Sequence, residues 1–241
     1  MIHAVIFAAG LGTRLKPLTD TMPKALVPLA GKPLLQWQVE KLRDAGITDI
    51  TVNVHHFPDQ IIDTIRVHKG WGCNIRISDE RDMLLDTGGG LKKMYNAPFT
   101  MHDEPVLACN VDVLSNIDIK ALIAQYEKTG ISQLVVSERQ TQRYLIFGEK
   151  DFLCGWTNIA TGEKKGKDGM HLAFSGMQIL SPDVLARLAQ REEDKFSLIP
   201  FYLDIMQEIP LQAYVPSDYR MMDVGKIDQI SEAEAFAESL Q

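Results

Sequence analysis

The sequence predicts an α/β fold: a mixed, mainly parallel sheet with helices on both faces and a small β-hairpin extension. Two observations carry this. Along residues 2–78, apolar strand-like runs alternate with amphipathic helical stretches, the order that winds a parallel sheet through right-handed crossovers. From Arg143 to about Gly169 the pattern changes to short apolar pieces separated by polar turns, which reads as a hairpin region projecting from that sheet. A chain of 241 residues, 45% hydrophobic and 24% charged, can bury one substantial core, so a single domain is expected.

The elements follow in order. Val5, Ile6 and Phe7 end an uncharged run that reads as a strand buried on both faces. Residues 33–45 carry Leu34, Leu35, Val39 and Leu42 at helical spacing, with Gly46 as the stop. Residues 49–54 alternate as a strand, and residues 58–68 place Ile61, Ile62 and Ile65 on one helix face. A short strand at 73–78 leads to Asp86-Thr87-Gly88-Gly89-Gly90 and a short helix over 91–95. Residues 104–112 form an apolar strand ending in polar Asn110 and Asp112. A helix over 118–129, a strand over 133–136, a strand over 172–180, helices over 182–189 and 197–206, and a closing helix over 227–240 complete the chain.

Bulk properties narrow the function. The net charge of −7 argues against nucleic acid or an anionic membrane surface as the main partner. No run approaches a membrane span and no basic region precedes the apolar start, so a cytoplasmic protein is expected. Cys73, Cys109 and Cys154 lie far apart with no Cys-x-x-Cys pair, which suits reduced cysteines better than disulfides or zinc ligands. His55 and His56 are adjacent on a strand, so their rings point to opposite faces; one packed and one exposed ring is expected, rather than a metal pair.

The stretch with the most chemistry is the first loop, Ala8-Ala9-Gly10-Leu11-Gly12-Thr13-Arg14. Small residues and glycines let the backbone turn and approach a ligand closely, and successive N–H groups in such a turn form an anion site. Arg14 adds a planar fork of donors and Lys24 a point charge, both suited to phosphate oxygens. A third glycine of the dinucleotide fingerprint is missing where Leu15 stands, and no Walker A lysine follows. The two glycines alone would fit an ordinary turn equally well. With Arg14, Pro17, Thr19, Pro23 and Lys24 behind them, the loop reads as a nucleoside triphosphate cradle.

The run from Ala8 through Gly10, Gly12, Thr13, Arg14, Leu15, Pro17 and Thr19, then Pro23, Lys24, Leu26 and Pro28, resembles the sugar-1-phosphate nucleotidyltransferases. Among their branches it most resembles the bacterial N-acetylmuramate-1-phosphate uridylyltransferases. The resemblance implies a Rossmann-like nucleotidyltransferase fold with a nucleotide-binding half over 1–140 and a sugar-phosphate-binding half over 141–241. It implies nucleotide-sugar synthesis for the cell wall, with a nucleoside triphosphate (UTP favoured) and a sugar 1-phosphate as substrates. Arg14 and Lys24 are then catalytic, and Ala8, Ala9, Gly10, Gly12 and Thr13 hold the phosphates. Gly88 and Gly89 would meet the base through backbone groups, and Asn110, Ser175 and Gly176 would border ribose or sugar.

Asp112, at the carboxyl end of a strand, is placed where open parallel sheets bind ligands, and beside a triphosphate it would serve as a Mg2+ ligand; read alone, it fits a turn cap as well. Asp223, an acid between apolar residues and before Gly225, resembles the family's second metal ligand. Val111, Met221 and Lys226 depart from the family pattern. Lys164, Lys165 and Lys167 read first as a wet turn, with phosphate steering as the other use. A choline-phosphate cytidylyltransferase, a metal-dependent glycosyltransferase and a non-catalytic regulatory subunit are the competing classes. A monomer or homodimer is expected.

Overall fold

The computed structural model describes residues 2–97 and 103–240. The chain begins with β1 (His3–Phe7), followed by three short 3-10 turns and a two-residue ladder of β2 (Pro28–Leu29) with β3 (Lys32–Pro33). Then come α1 (Leu34–Asp44), β4 (Asp49–Val54), α2 (Pro58–Val67), β5 (Asn74–Asp79) and α3 (Asp86–Tyr95). The middle holds β6 (Val106–Asn110), β7 (Val113–Ser115), α4 (Ile119–Thr129) and β8 (Ser132–Ser137). Next are β9 (Arg143–Phe147), β10 (Leu153–Asn158), β11 (Glu163–Gly166) and the long β12 (Met170–Leu180). The chain closes with α5 (Pro182–Ala189), α6 (Leu198–Ile205), β13 (Leu211–Tyr214), β14 (Met221–Asp223) and α7 (Ile230–Glu238).

The main sheet runs β11-β10-β9-β12-β6-β1-β4-β5, with β8 on β12 and β13 on β8. Strands β6, β1, β4 and β5 pair in parallel, as the crossover helices require. Antiparallel β12 joins this block to β9, β10 and β11, so the extension is a three-stranded meander rather than one hairpin. β13 pairs in parallel with β8; its four residues, Leu211 to Tyr214, are too short for a clear alternation in sequence.

Alternation along the strands divides the core into two. Ala4 and Ile6 of β1 face one apolar cluster with Leu35, Val39, Leu42 and Ile61 of α1 and α2. Val5 faces the other, with Leu91, Met94, Val184 and Phe201 of α3, α5 and α6. On β6, Leu107 and Cys109 join the first cluster while Val106 and Ala108 join the second. Helices thus cover both faces because every second side chain of an uncharged strand points to each.

Away from the main sheet, β14 pairs antiparallel with β7, with Asp223 opposite Val113. The Val224 N–H also donates to the Asp112 carbonyl at 2.8 Å. This small ladder joins two segments more than a hundred residues apart in sequence and fixes the geometry of the site.

Candidate active site

A cleft of about 600 Å³ opens at the carboxyl ends of β1 and β6. Residues 7–14, Lys24, Asn110 and Asp112 form much of its lining. A second cleft of about 1150 Å³ adjoins it, shares Arg14 and Gly225 with it, and is walled by Arg139, Tyr144, Trp156, Phe174, Asp223 and Lys226.

The first loop is held from outside itself. Gly12 has φ +64°, and an added Cβ would stand 2.8 Å from Thr19 Cγ2, so both conformation and space require glycine. The Thr19 hydroxyl donates to the Gly12 carbonyl at 2.8 Å and pins the turn. Gly10 is different: no atom lies within 4 Å of its missing Cβ. The Ala8 N–H is already used, donating to Asn53 Oδ1 at 2.7 Å. The next four amides, of Ala9, Gly10, Leu11 and Gly12, have no hydrogen-bond partner among the described residues and border the cleft. Successive unpaired amides in such a bend make an anion nest. Thr13 and Arg14 then open a 3-10 turn (Thr13–Leu15), both exposed to the cleft.

Lys24 and Asp112 form an ion pair at the cleft floor, the lysine side chain 9% and the aspartate 21% exposed. Asp223 lies on the neighbouring strand. Gly225 separates it from Arg14, since an added Cβ there would stand 2.8 Å from Asp223 Oδ1 and 3.0 Å from Arg14 Nη2. Asp223 is exposed toward the second cleft, but partial desolvation of its carboxylate raises its pKa and the nearby Asp112 charge raises it further, while Lys24, Arg14 and Arg139 act the other way. The two acids are therefore within electrostatic reach of each other. Among the described residues no group of three or more His, Cys, Asp or Glu is arranged to hold a metal. Two hard carboxylates fit Mg2+, which takes one or two carboxylates and fills its shell with water and phosphate.

The second glycine segment lies elsewhere in this geometry. The glycines sit inside α3 rather than ahead of it, and the N–H groups of Gly88 and Gly89 donate to the Phe196 carbonyl at 2.8 and 3.1 Å. Their missing Cβ positions are filled by the Phe196 ring, at 2.4 Å, and the Asp194 carbonyl oxygen, at 1.9 Å. The cleft wall here is made by Leu84, Asp86 and Thr87 instead. Asp86 adopts φ +62°, with its carboxylate accepting from the Thr87 N–H at 2.6 Å and from the Ser197 hydroxyl at 2.5 Å.

Asn110 lines the first cleft, and Gly176 supports it: at φ +72°, an added Cβ would stand 2.8 Å from Asn110 Nδ2. Ser175, 1% exposed, lines neither cleft; its neighbour Phe174 lines the second. His55 and His56 are both half-buried, each with a ring nitrogen against a carbonyl, of Glu80 at 2.7 Å and Thr19 at 3.2 Å. The expected split into one packed and one exposed ring is not seen, because β4 ends at Val54 and both histidines lie in the bend after it, each ring against a carbonyl. Lys164 and Lys165 stand on strand β11 rather than in a turn, exposed and paired with Asp168 and Glu163, and Lys165 borders the second cleft.

Lys195 and Asn53 reach the first cleft and Arg139 the second without having been singled out in sequence. Asn53 left a signal, a polar residue among the apolar residues of β4. Lys195, one lysine beside the acids at 192–194, left none.

Comparison with known proteins shows the family to which the chain belongs. The chain is 42% identical over 239 residues to the N-acetylmuramate alpha-1-phosphate uridylyltransferase of Neisseria meningitidis serogroup B, covering 98% of both chains. It is 32% identical over 210 residues to the protein of that name from Caulobacter vibrioides, covering 83% of this chain and 82% of the other. The crystal structure of HddC from Yersinia pseudotuberculosis complexed with GMP-PN superposes with a TM-score of 0.77 at 25% identity, over 98% of this chain and 100% of that one. No helix among the described residues is long and apolar enough to cross a membrane. The sequence model of the nucleotidyl transferase family matches residues 3–239, and the chain is an enzyme of that family.

Proposed function

We propose that this enzyme transfers a uridylyl group from UTP to a sugar 1-phosphate, N-acetylmuramate 1-phosphate first among candidates, releasing pyrophosphate. The observation that carries the reading is the meeting of Asp112, Asp223 and Arg14 where two clefts join, one walled by the free amides of the first loop. The nucleotide occupies the first cleft, built mainly by residues 1–140, and the sugar phosphate the second, built mainly by residues 141–241. A triphosphate substrate places the reaction in the cytoplasm.

An oxygen of the sugar phosphate attacks the α-phosphorus in line. A new P–O bond forms as the bond to the β-phosphate breaks, and pyrophosphate leaves with its electron pair. The acceptor phosphate is already ionised, so no general base is required. The chain's task is alignment and charge neutralisation. Amides 9–12 donate to the phosphates, Arg14 faces the charge that develops on the leaving group, and Lys24 fixes the Asp112 carboxylate. Asp112 and Asp223 would hold Mg2+, which neutralises charge on the reacting phosphates. Tyr144 and Trp156 supply aromatic surface to the acceptor cleft, and Arg139 and Lys226 add positive charge to its wall.

A matrix of UTP, GTP, CTP and dTTP against sugar 1-phosphates and choline phosphate, read by pyrophosphate release with and without Mg2+, tests this reading. Release with UTP and N-acetylmuramate 1-phosphate that stops on chelation is expected. Turnover of choline phosphate alone would reassign the acceptor, and release without added divalent cation would remove the metal.

A further inference from the structure

Between the first loop and the second glycine segment runs a line of buried hydrogen bonds that the mechanism above does not use. The Ala8 N–H donates to Asn53 Oδ1 at 2.7 Å, and Asn53 Nδ2 donates to Glu80 Oε1 at 2.9 Å. The Leu85 N–H donates to the other oxygen, Glu80 Oε2, at 3.3 Å. Glu80 is itself anchored, its N–H donating to the Val54 carbonyl at 2.7 Å and its carbonyl meeting His55 Nδ1 at 2.7 Å. Asn53 is 3% and Glu80 2% exposed. Gly90 makes room for the pair: a Cβ there would stand 2.8 Å from Glu80 Oε1 and 3.0 Å from Asn53 Nδ2.

We propose that Glu80, acting through Asn53, is a positioning residue that sets the first loop at Ala8 against the cleft wall at residues 84–87, and so fixes how a nucleoside triphosphate lies across the cleft. The proposal rests on the nucleotidyl transfer reading above. Glu80 does not line the cleft; Asn53, Ala8, Leu84 and Thr87 do. The phosphate-binding amides start one residue after Ala8, and the wall begins one residue before Leu85, so the line ends on the two parts that grip opposite ends of the nucleotide.

The chemistry of the line explains why a carboxylate stands at its centre. Both Asn53 Nδ2–H and Leu85 N–H donate to residue 80, which must therefore accept twice and donate nothing. The Asn53 amide cannot turn over to help, because its oxygen is held by Ala8. Burial raises the pKa of Glu80, an energetic burden that a purely structural position could shed with an apolar side chain. A glutamine at position 80 would set two N–H donors against each other and leave one buried group unpaired.

That reasoning supplies its own rescue. In the double variant Asn53→Asp with Glu80→Gln, the new carboxylate at 53 accepts from Ala8 and from the new amide at 80, whose oxygen accepts from Leu85. All three bonds return with one negative charge, as in the parent. The test uses the full chain in four forms: wild type, Glu80→Gln, Asn53→Asp and the double variant. KM for UTP and for the sugar 1-phosphate are measured separately, with UTP affinity by calorimetry and Tm alongside. Glu80→Gln is expected to raise KM and Kd for UTP about tenfold, the range for one unpaired buried group, with KM for the acceptor within about twofold. The double variant is expected to bind UTP at least about threefold more tightly than the weaker single variant, a coupling that independent sites would not show.

Unchanged UTP affinity in Glu80→Gln overturns the proposal, as does a double variant no better than its weaker parent. Equal rises in both KM values that track a fall in Tm also overturn it, because they mark support of the fold in general. Wild-type protein that binds none of the four triphosphates overturns the underlying reading and this proposal together; wild-type binding with an unmoved variant overturns the proposal alone.

Discussion

The two glycine segments, residues 8–14 and 86–90, look alike in sequence and are built for opposite purposes. In the first, the amides of residues 9–12 lack partners among the described residues and the space over Gly10 is open. In the second, Gly88, Gly89 and Gly90 each have a missing Cβ replaced by protein: the Phe196 ring, the Asp194 carbonyl, and the Glu80–Asn53 pair. Their amides are occupied as well, two of them by the Phe196 carbonyl. A glycine that leaves space for a ligand and one that leaves space for a neighbour are the same letter in a sequence. Only the surroundings separate them.

The largest effect should come from the acids beneath the first loop, and it divides them. Asp112→Asn and Asp223→Asn are each expected to cut Mg2+-dependent turnover by about 10³-fold, from lost charge at the reacting phosphates. Their stabilities should move in opposite directions. Asp223 has a raised pKa, so the folded state holds its proton more tightly than the unfolded chain. Its charge therefore costs stability as pH rises from the ordinary carboxylate range through the raised value, and at neutral pH Asp223→Asn should raise Tm. Asp112→Asn instead leaves the buried Lys24 charge without its partner and should lower stability by about 2 kcal/mol. Thermal melts of metal-free protein at pH 7 decide it; a parallel fall in both variants would mean that neither desolvation nor the Asp112 charge makes the Asp223 carboxylate costly.

In the second segment the effect should be on folding. Gly89→Ala places a methyl group 1.9 Å from the Asp194 carbonyl oxygen, a backbone atom. Overpacking of this kind is expected to cost about 3 kcal/mol or more, read by urea unfolding. Pyrophosphate release per folded molecule should change little at permissive temperature. A stable Gly89→Ala protein with a selective loss of nucleotide affinity would return this glycine to the base.

Arg14→Ala sharpens the same contrast from the other side. The exposed guanidinium lines both clefts, so its removal should leave folding stability within about 0.5 kcal/mol of wild type. Turnover should fall about 10²-fold, the loss typical of one donor aimed at developing charge. Near-normal turnover would take Arg14 out of the reaction.

These contrasts mark what the sequence made legible. Strands β1, β4 and β6 were readable because each is an uncharged or alternating run bounded by turn residues, and β4 and α5 agree with the structure to the residue. The first loop was readable as a candidate anion site because its small residues and cations stand together in local order, and the structure gives it unpartnered amides at a cleft. The β7–β14 ladder was not, since three-residue strands carry too little periodicity and their pairing is a long-range event. Asp223 could be placed beside Asp112 only by resemblance. The packing role of Gly88 and Gly89 was hidden for the same reason, because their neighbours, residues 194–196, stand more than a hundred positions away.

The smallest expected effect is the most discriminating. Gly10 has no positive φ and no atom within 4 Å of its missing Cβ, so Gly10→Ala meets no obstacle in the protein itself. Alanine narrows the unfolded ensemble, and the variant should be more stable by about 0.5 kcal/mol. The added methyl group would stand where a phosphate must approach the free amides, so KM for the nucleotide should rise about tenfold, the effect of losing one hydrogen bond to a charged group. Protein packing cannot make Gly10→Ala at once more stable and weaker in nucleotide binding; only a ligand using that empty space can. A variant with wild-type KM would show that the opening over Gly10 is surface and nothing more.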